Sequence, residues 1–485
     1  MSLQTTSTTP DLWRSLSPSA RTSLRPLLEA SRAFQAQYRD DRVAFAHDCI
    51  DWHGDKPTLY QDEILGMFDA GEERIAVYSP RGAGKTCLAA IQTHHFALTS
   101  DGDTDWKEPT TASVWRQLRF FLWPEIAKFA RRLRWEKVGR GPYDQKTELQ
   151  SLVLRLKTGE AFAVASDDPE TIEGAHATRL VYCYDEAKII PARAFDSSEG
   201  AFAGAEGCKA LALAISTPGE EEGRFYDICS RKKGYEDWRV RRITLDEVLS
   251  AGRMTPAWVE QRRRQWGEDS PLFRQQVLGE FCSGSSDGII RLGWVEAAQE
   301  RWHAIREREE AEGERAWGDF ACVGVDTGRG GSKSVLALRF GDAIRECREM
   351  DTRDTMEVVG AVAGILNKWG GYAVVDVGYN PGVFDRLREL ERLGKLGGRV
   401  YPFSFAGKTE RKDSSGEMGF CNLRAAAWWG MRERLDPATG GGRVALPPDD
   451  MLTGDLTTPT HRVLSGGKIL IEAKSEIETR LQRST

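Results

Sequence analysis

The sequence lacks any apolar run near the roughly 18 residues a bilayer-spanning helix needs; its longest, residues 210–215, is strand-sized. A helical membrane span is therefore not expected. Residues 1–11 are rich in Ser and Thr and lack a basic-then-apolar pattern, so no export signal is expected there and they read as a tail. The nine cysteines are scattered, with no Cys-x-x-Cys pair, which argues against a zinc site or a disulfide framework and for a reducing compartment. The seven histidines also lack metal-ligand spacing, and His94 and His95 are expected to be structural. Excess positive charge is missing as well. A net charge of −6 excludes a chain coated in basic residues, so polyanion contact would depend on local patches. Two basic stretches exist, residues 115–146 and 386–434; each reads equally well as a solvated helix face.

At 485 residues the chain should hold two domains. Residues 12–55 look helical and amphipathic, with Leu24, Leu27, Leu28 and Phe34 near helical spacing and Pro26 tolerable only in a first turn. From about residue 58, strand and helix patterns alternate. Strands are expected at 75–79, 180–184 and 211–216, helices at 87–97 and 112–133, and a hairpin from 152–156 and 161–165. Such alternation predicts an α/β sheet with helices on its faces. Residues 245–281 read as largely helical, 282–288 as a flexible break, and 294–315 as a charged helix with a solvated linker face. A second α/β block opens near residue 320, with strands at 322–326, 334–339 and 372–376. The expected organisation is an N-terminal helical extension (1–55), a first domain with a C-terminal helical lid (56–282), a linker (283–318) and a second domain (319–485).

The octapeptide Ser79-Pro80-Arg81-Gly82-Ala83-Gly84-Lys85-Thr86 follows an apolar strand and opens a helix. Strand, glycine-bearing loop and Gly-Lys-Thr form the phosphate-binding loop arrangement. Backbone N–H groups of Arg81, Gly82, Ala83 and Gly84 can wrap a triphosphate at a helix N-terminus. Lys85 would reach the β/γ-phosphates and Thr86 would ligate Mg²⁺. Ser79 stands where the first glycine is usual. About a hundred residues later an apolar strand ends in Asp185-Glu186. Asp185 can hold Mg²⁺ through water, and Glu186 can orient and deprotonate an attacking water. Ser216 and Thr217, ending the next strand, offer hydroxyls that could sense a γ-phosphate. Gln61 sits where an amide could read adenine, although an exposed polar residue is the plainer reading of it alone.

In the second block, two apolar strands each end in an aspartate, Asp326 and Asp376. Neighbouring strand-end carboxylates can clamp two divalent ions at a phosphodiester; singly, each would be a turn or capping residue. The glycine-rich stretch 328–331 lacks Gly-Lys-Thr and is not expected to bind nucleotide.

Together these motifs resemble the large terminase subunit of tailed bacteriophages. The resemblance rests on Tyr60-Gln61, Arg81 to Thr86, Glu173-Gly174-Ala175-His176 leading to Asp185-Glu186-Ala187, Ser216-Thr217-Pro218, and the Asp326/Asp376 pair. It implies a P-loop (RecA/ASCE-like) ATPase domain with a parallel-type central sheet, followed by an RNase H-like α/β nuclease domain. It implies adenine contact at Gln61, ATP with Mg²⁺ at the loop, hydrolysis at Glu186, and Mg²⁺ or Mn²⁺ at Asp326 and Asp376. An arginine finger is implied too, with Arg179, Arg116 and Arg119 as candidates. Implied partners are double-stranded DNA, a prohead portal protein, a small terminase subunit and further copies of the chain in a ring; no membrane is involved. The implied setting is the cytoplasm of an infected bacterium, not the mature virion. Residues 474–484 resemble the family segment that leads to a third metal-binding aspartate, which the 485 residues do not reach. Asp449, Asp450 and Asp455 remain as substitutes, in a stretch that reads as surface turn. A helicase or repair ATPase, and a nuclease-defective prophage remnant, are the alternative readings.

Overall fold

The computed structural model describes Ser17 and residues 29–481, apart from 167, 204–208, 284–286, 329–332, 353, 379–380 and 465. The expected tail, the positions Leu24, Pro26, Leu27 and Leu28, most of the 328–331 stretch and residues 482–484 lie outside the described residues. The chain divides into two compact units: Met1–Pro256 with Gln275–Phe281, and Ala257–Arg274 with Cys282–Thr485.

The first unit is built on seven strands: β1 (Arg74–Tyr78), β2 (Trp106–Ala112), β3 (Val153–Arg155), β4 (Gly159–Ala165), β5 (Arg179–Asp185), β6 (Lys209–Ser216) and β7 (Arg239–Arg242). Their order is β3-β4-β2-β5-β6-β1-β7. Every pairing is parallel except the β3–β4 hairpin. β1, β5 and β6 are near-continuous apolar runs because helices cover both faces of the sheet. Alternate residues divide between two cores. Ile75, Val77, Val181, Leu211 and Leu213 join the cluster on one side. Ala76, Tyr182, Tyr184, Ala212 and Ala214 join the cluster on the other.

Four helices concern the site: α1 (Arg42–Asp48), α2 (Leu59–Asp69), α3 (Lys85–Ser100) and α4 (Trp123–Arg132). The N-terminal segment packs into this unit. Phe34, Tyr38 and Phe45 enter its core, and buried Arg42 donates to Asp69 (2.6 Å) and Gln92 (3.0 Å). His94 and His95 are structural, as expected. Both are buried in α3, where His94 Nε2 pairs with the Ile126 carbonyl (2.8 Å) and His95 Nε2 with that of Tyr38 (2.7 Å).

β2 is absent from the sequence reading, which put residue 112 at the start of a long helix. Its sequence, WKEPTTA, carries a proline and four polar residues and so hides a central strand. Glu108, Thr110 and Thr111 are nonetheless buried. Glu108 is tolerated there because Thr93 Oγ1 donates to it (2.7 Å) and burial raises its pKa from the ordinary 4.5 to about 8. A raised folded pKa makes this group's contribution to stability complete below about pH 4.5. The contribution declines with rising pH and is gone above about 8. Glu108→Gln should remove up to roughly 1.4 kcal/mol per pH unit of that decline. Urea unfolding between pH 5 and 9 measures it, and an unchanged slope refutes it.

The second unit has a sheet of β8 (Phe320–Asp326), β9 (Ser334–Phe340), β10 (Ala343–Met350), β11 (Tyr372–Asp376) and β12 (Arg399–Phe403). The order is β10-β9-β8-β11-β12. β8, β9 and β10 form an antiparallel meander, and β11 and β12 run parallel to β8. This is the RNase H-like arrangement. The residues expected as a linker include α5 (Leu292–Glu312), which belongs to this unit. Its Val295 and Ala298 pack with Phe420, Trp429 and Leu446, so an apolar stripe outweighs the charged face seen in the sequence. Residues 257–274, expected in the first domain's lid, also group with the second unit, where Leu272 and Phe273 are buried. Helices α6 (Thr355–Trp369) and α7 (Gly382–Arg392) cover the sheet face formed by Val323, Val325, Leu336, Ala373 and Val375. The unit continues through α8 (Leu423–Leu435), α9 (Asp450–Thr457) and α10 (Lys474–Leu481). No described helix is long and apolar enough to cross a membrane, and the eight described cysteines are all free.

Candidate nucleotide and metal sites

Strand register brings the motifs of the first unit to one edge of its sheet. β6 lies between β1 and β5, pairing Tyr78 with Ser216 and Asp185 with Ile215. The loop after β1, the Asp185-Glu186 end of β5 and the Ser216-Thr217 end of β6 therefore meet at the carboxyl edge. This is where open α/β sheets bind ligands.

The loop needs two left-handed residues, Gly82 (φ +79°) and Gly84 (φ +82°). Gly84 is the cap residue of α3, and no side chain caps this helix. Its first-turn N–H groups are thus available to an anion. Lys85 Nζ donates to Ser79 Oγ (2.8 Å) and to the Pro80 carbonyl (3.3 Å). Ser79 itself donates to that carbonyl at 2.8 Å. The residue that replaces the usual first glycine thus holds the lysine across the loop. Burial lowers the Lys85 pKa to about 8, opposed by the charges of Glu186 and Asp185. Arg81 points into solvent, its backbone N–H donating to the Gln276 carbonyl (2.8 Å).

Helix α2 fixes the loop from below. The Gln61 Oε1 accepts from the Thr58 N–H (3.0 Å) and hydroxyl (3.1 Å), closing a capping box, and its Nε2 donates to the Gly84 carbonyl (3.3 Å). Tyr60 donates to the Ala83 carbonyl (2.9 Å). Both ends of the Gln61 amide are therefore engaged within the protein, as a strap on the loop. Residues 276–279 close the other side. Gly279 has φ +63°, and a Cβ there would lie 2.6 Å from Pro80 Cδ. Gly279→Ala should therefore displace the loop, weakening nucleotide binding about tenfold and costing roughly 1–3 kcal/mol of stability. Calorimetric titration with a nucleotide analogue and denaturant unfolding test both effects.

Asp185 is 2% exposed, and its Oδ2 has no hydrogen-bond partner. Burial, then the charge of Glu186, pushes its pKa up; Lys85 and the Gln117 amide favour the charged form. An orphaned buried acceptor beside a lysine and a phosphate loop fits a hydrated divalent cation. Glu186 takes a left-handed backbone conformation (φ +50°), uncommon for a residue with a Cβ. Ser216 Oγ donates to its Oε2 (3.1 Å) and accepts from the Lys188 N–H (3.3 Å), which fixes the carboxylate's direction. Thr217 is buried and Thr86 half-buried. Arg179 opens β5 at the opposite edge, with Nη1 near the Thr99 carbonyl (3.5 Å). Of the three arginine-finger candidates, it is the one placed away from the site.

In the second unit, Asp326 and Asp376 end paired parallel strands, with Val325 opposite Val375. Burial raises the Asp326 pKa, the Asp376 charge adds to this, and Lys474 opposes it. Asp376 Oδ1 accepts from the Gly378 N–H (2.9 Å). The proposed substitutes for a third carboxylate do not join them. Asp449 caps α9, accepting from the Leu452 N–H (2.7 Å). Asp450 is exposed in the first turn of α9, and Asp455 lies within the helix. A helix therefore replaces the expected turn. No group of three His, Cys, Asp or Glu poised for a metal occurs among the described residues.

Gln117, Lys474 and the 276–279 segment were missed by motif reasoning. Each reaches its site through tertiary contact, with no local pattern to mark it.

No protein-family model matches the chain. It is 26% identical over 344 residues to the probable large terminase subunit of Enterobacteria phage P7, a match covering 66% of this chain and 62% of that protein. Among solved structures, the large terminase of a thermophilic bacteriophage aligns over 88% of this chain and 98% of its own, at 11% identity and TM-score 0.41. The nuclease domain of the large terminase subunit of bacterial virus Sf6, in a mutant form with manganese, aligns over 41% and 93%, at 17% identity and TM-score 0.32. The Thermus phage P74-26 large terminase ATPase domain aligns over 47% and 94%, at 19% identity and TM-score 0.37. In the order of its motifs and in its sequence likeness to the P7 protein, this chain is similar to phage large terminase subunits.

Proposed function

We propose that the chain is an ATP-driven motor that moves double-stranded DNA into a prohead, coupled to a metal-dependent endonuclease that cuts concatemeric DNA. The observation that carries the reading is the convergence of Lys85, Asp185, Glu186 and Ser216 at one sheet edge, with an unsatisfied buried Asp185 oxygen between them.

The N–H groups of residues 82–86 and the Lys85 ammonium would hold the phosphates of ATP. Thr86 and Asp185 would hold a hydrated Mg²⁺, which supplies charge neutralisation at the phosphates. Glu186 accepts a proton from the attacking water, and Ser216 keeps its carboxylate aimed. Gln61 and Tyr60 keep the loop in register from α2, and Arg81 is free to meet phosphate from the solvent side. In the second unit, Asp326 and Asp376 would hold Mg²⁺ or Mn²⁺ at a scissile phosphodiester.

In this reading, which follows the resemblance to large terminase subunits, several copies would dock on a portal, a small subunit would load them, and the host cytoplasm would be the setting. Packaging of duplex DNA into portal-bearing proheads tests the motor. ATP-dependent filling without strand separation is the expected result; unwinding of a forked duplex without filling would favour a helicase.

A further inference from the structure

The sheet of the second unit has two faces of opposite character. Val323, Val325, Ala373, Val375 and Val400 are buried on the face that α6 and α7 cover. The alternate residues of β8, β11 and β12 point to the other face, and none of them is fully buried. Strand register sets these in rows. Asp326 and Asp376 lead, with Phe403 paired to Asp376. Gly324, Val374 and Tyr401 lie side by side in the next row, and Cys322, Tyr372 and Arg399 in the one behind it.

Two features of this face are not required by packing. Gly324 has no positive φ, and a Cβ there would meet nothing nearer than the Ala337 Cβ at 3.8 Å. A glycine inside a strand with no packing reason is a common mark of close approach by a ligand. The second feature is a pair of rings. Tyr372 is 37% and Tyr401 45% exposed, and the two meet edge to face with centroids 5.8 Å apart. That contact holds both rings upright and leaves their outer surfaces to solvent. Phe403, by contrast, is half-buried against Phe405 (5.0 Å). Exposed Arg399 adds positive charge in the Tyr372 row.

Alternate residues of a strand are about 6.6 Å apart. The face therefore offers a floor of small residues and two rings, one and two such steps back from the aspartates. A duplex keeps its bases stacked on one another and would show these rings only sugar and phosphate. An unpaired base has a free π-face, and aromatic side chains stack on it whatever the sequence.

We propose that Tyr372 and Tyr401 form a stacking platform for unpaired DNA bases, with Gly324 as the floor beneath the strand that runs to Asp326 and Asp376. The inference rests on the nuclease reading of the second unit and adds the state of its substrate, a strand locally freed from its complement.

The test uses the full chain in EDTA, so that nothing is cut, with a fluorescein-labelled single strand and a duplex of the same length. Tyr372→Leu and Tyr401→Leu should each weaken single-strand binding about tenfold, with duplex binding and the salt slope unchanged. Tyr372→Phe and Tyr401→Phe should bind like the wild type, since the ring carries the stacking. A 2-aminopurine base in the strand should lose fluorescence on binding the wild type and both phenylalanine variants, and keep it with the leucine variants. Arg399→Gln should shrink the slope of log K against log salt for the single strand by about 0.7, one phosphate contact. Gly324→Val should lose single-strand affinity with no loss of stability in urea, because a β-branched residue suits a strand while its side chain blocks the floor. With Mn²⁺, a duplex carrying an unpaired bubble should be cut faster than a fully paired one, and Tyr401→Leu should erase the difference.

Unchanged single-strand affinity in both leucine variants overturns the platform. So do equal losses for single strand and duplex, quenching that survives the leucine variants, or weak binding by the phenylalanine variants. Equal cutting of bubble and paired duplex by the wild type overturns the assigned substrate state. If the wild type cuts neither, the nuclease reading fails, while the binding and quenching series still decide the platform.

Discussion

A Glu186→Gln protein is expected to bind ATP with near wild-type affinity and to hydrolyse it roughly 10²–10⁴-fold more slowly, the usual contribution of a positioned general base. The expectation comes from how the side chain is held. Its backbone sits at φ +50° and its carboxylate accepts from Ser216 at 3.1 Å, so a neighbouring carboxylate cannot readily replace it. The amide keeps the shape and the Ser216 contact but cannot accept the proton. Single-turnover hydrolysis of radiolabelled ATP, beside equilibrium binding of a fluorescent analogue, separates the two effects. Normal turnover would remove Glu186 from the role. Ser216→Ala should cost less, about tenfold, because it loosens the base without removing it.

The second large effect is expected at the Asp326/Asp376 pair. Asp326→Asn should abolish Mn²⁺-dependent nicking of supercoiled plasmid, by on the order of 10³-fold or more, since a lost metal ligand forfeits several kcal/mol of charge stabilisation. Asp376→Asn should do the same, and ATP hydrolysis should be spared in both. Asp449→Asn, altering a helix cap beyond the pair, should leave nicking intact. If Asp326→Asn nicks as fast as the wild type, the activity belongs elsewhere. If the wild type does not nick either, two carboxylates with Lys474 beside them are insufficient in this chain, and the nuclease-defective reading prevails.

Much of the proposed nucleotide site was legible in the sequence because its parts are local. A strand, two glycines with positive φ and Gly-Lys-Thr sit within a dozen residues, and Asp185-Glu186 ends an apolar strand. Other elements were hidden for stated reasons. β2 carries Lys107, Glu108, Pro109 and two threonines in a buried central position, so its composition resembles a loop. The helix α5 advertises its charges while Leu292, Val295 and Ala298 anchor it. For Gln61 the sequence offers either an amide that could read adenine or an exposed polar residue; in the fold it is buried and its amide bridges Thr58 and Gly84, a use that depends on how α2 meets the loop.

The sequence by itself determined the strands that end in Asp185, Ser216, Asp326 and Asp376, and the chemistry those residue types can perform. Their adjacency was decided only by the tertiary structure. Placing β6 between β1 and β5 sets acid, hydroxyl and lysine on one edge, because parallel strands of equal direction release their carboxyl ends together. Burial then completed the site. Desolvation turned Lys85 and Asp185 from ordinary surface charges into a mutually dependent pair, a property that no linear motif encodes.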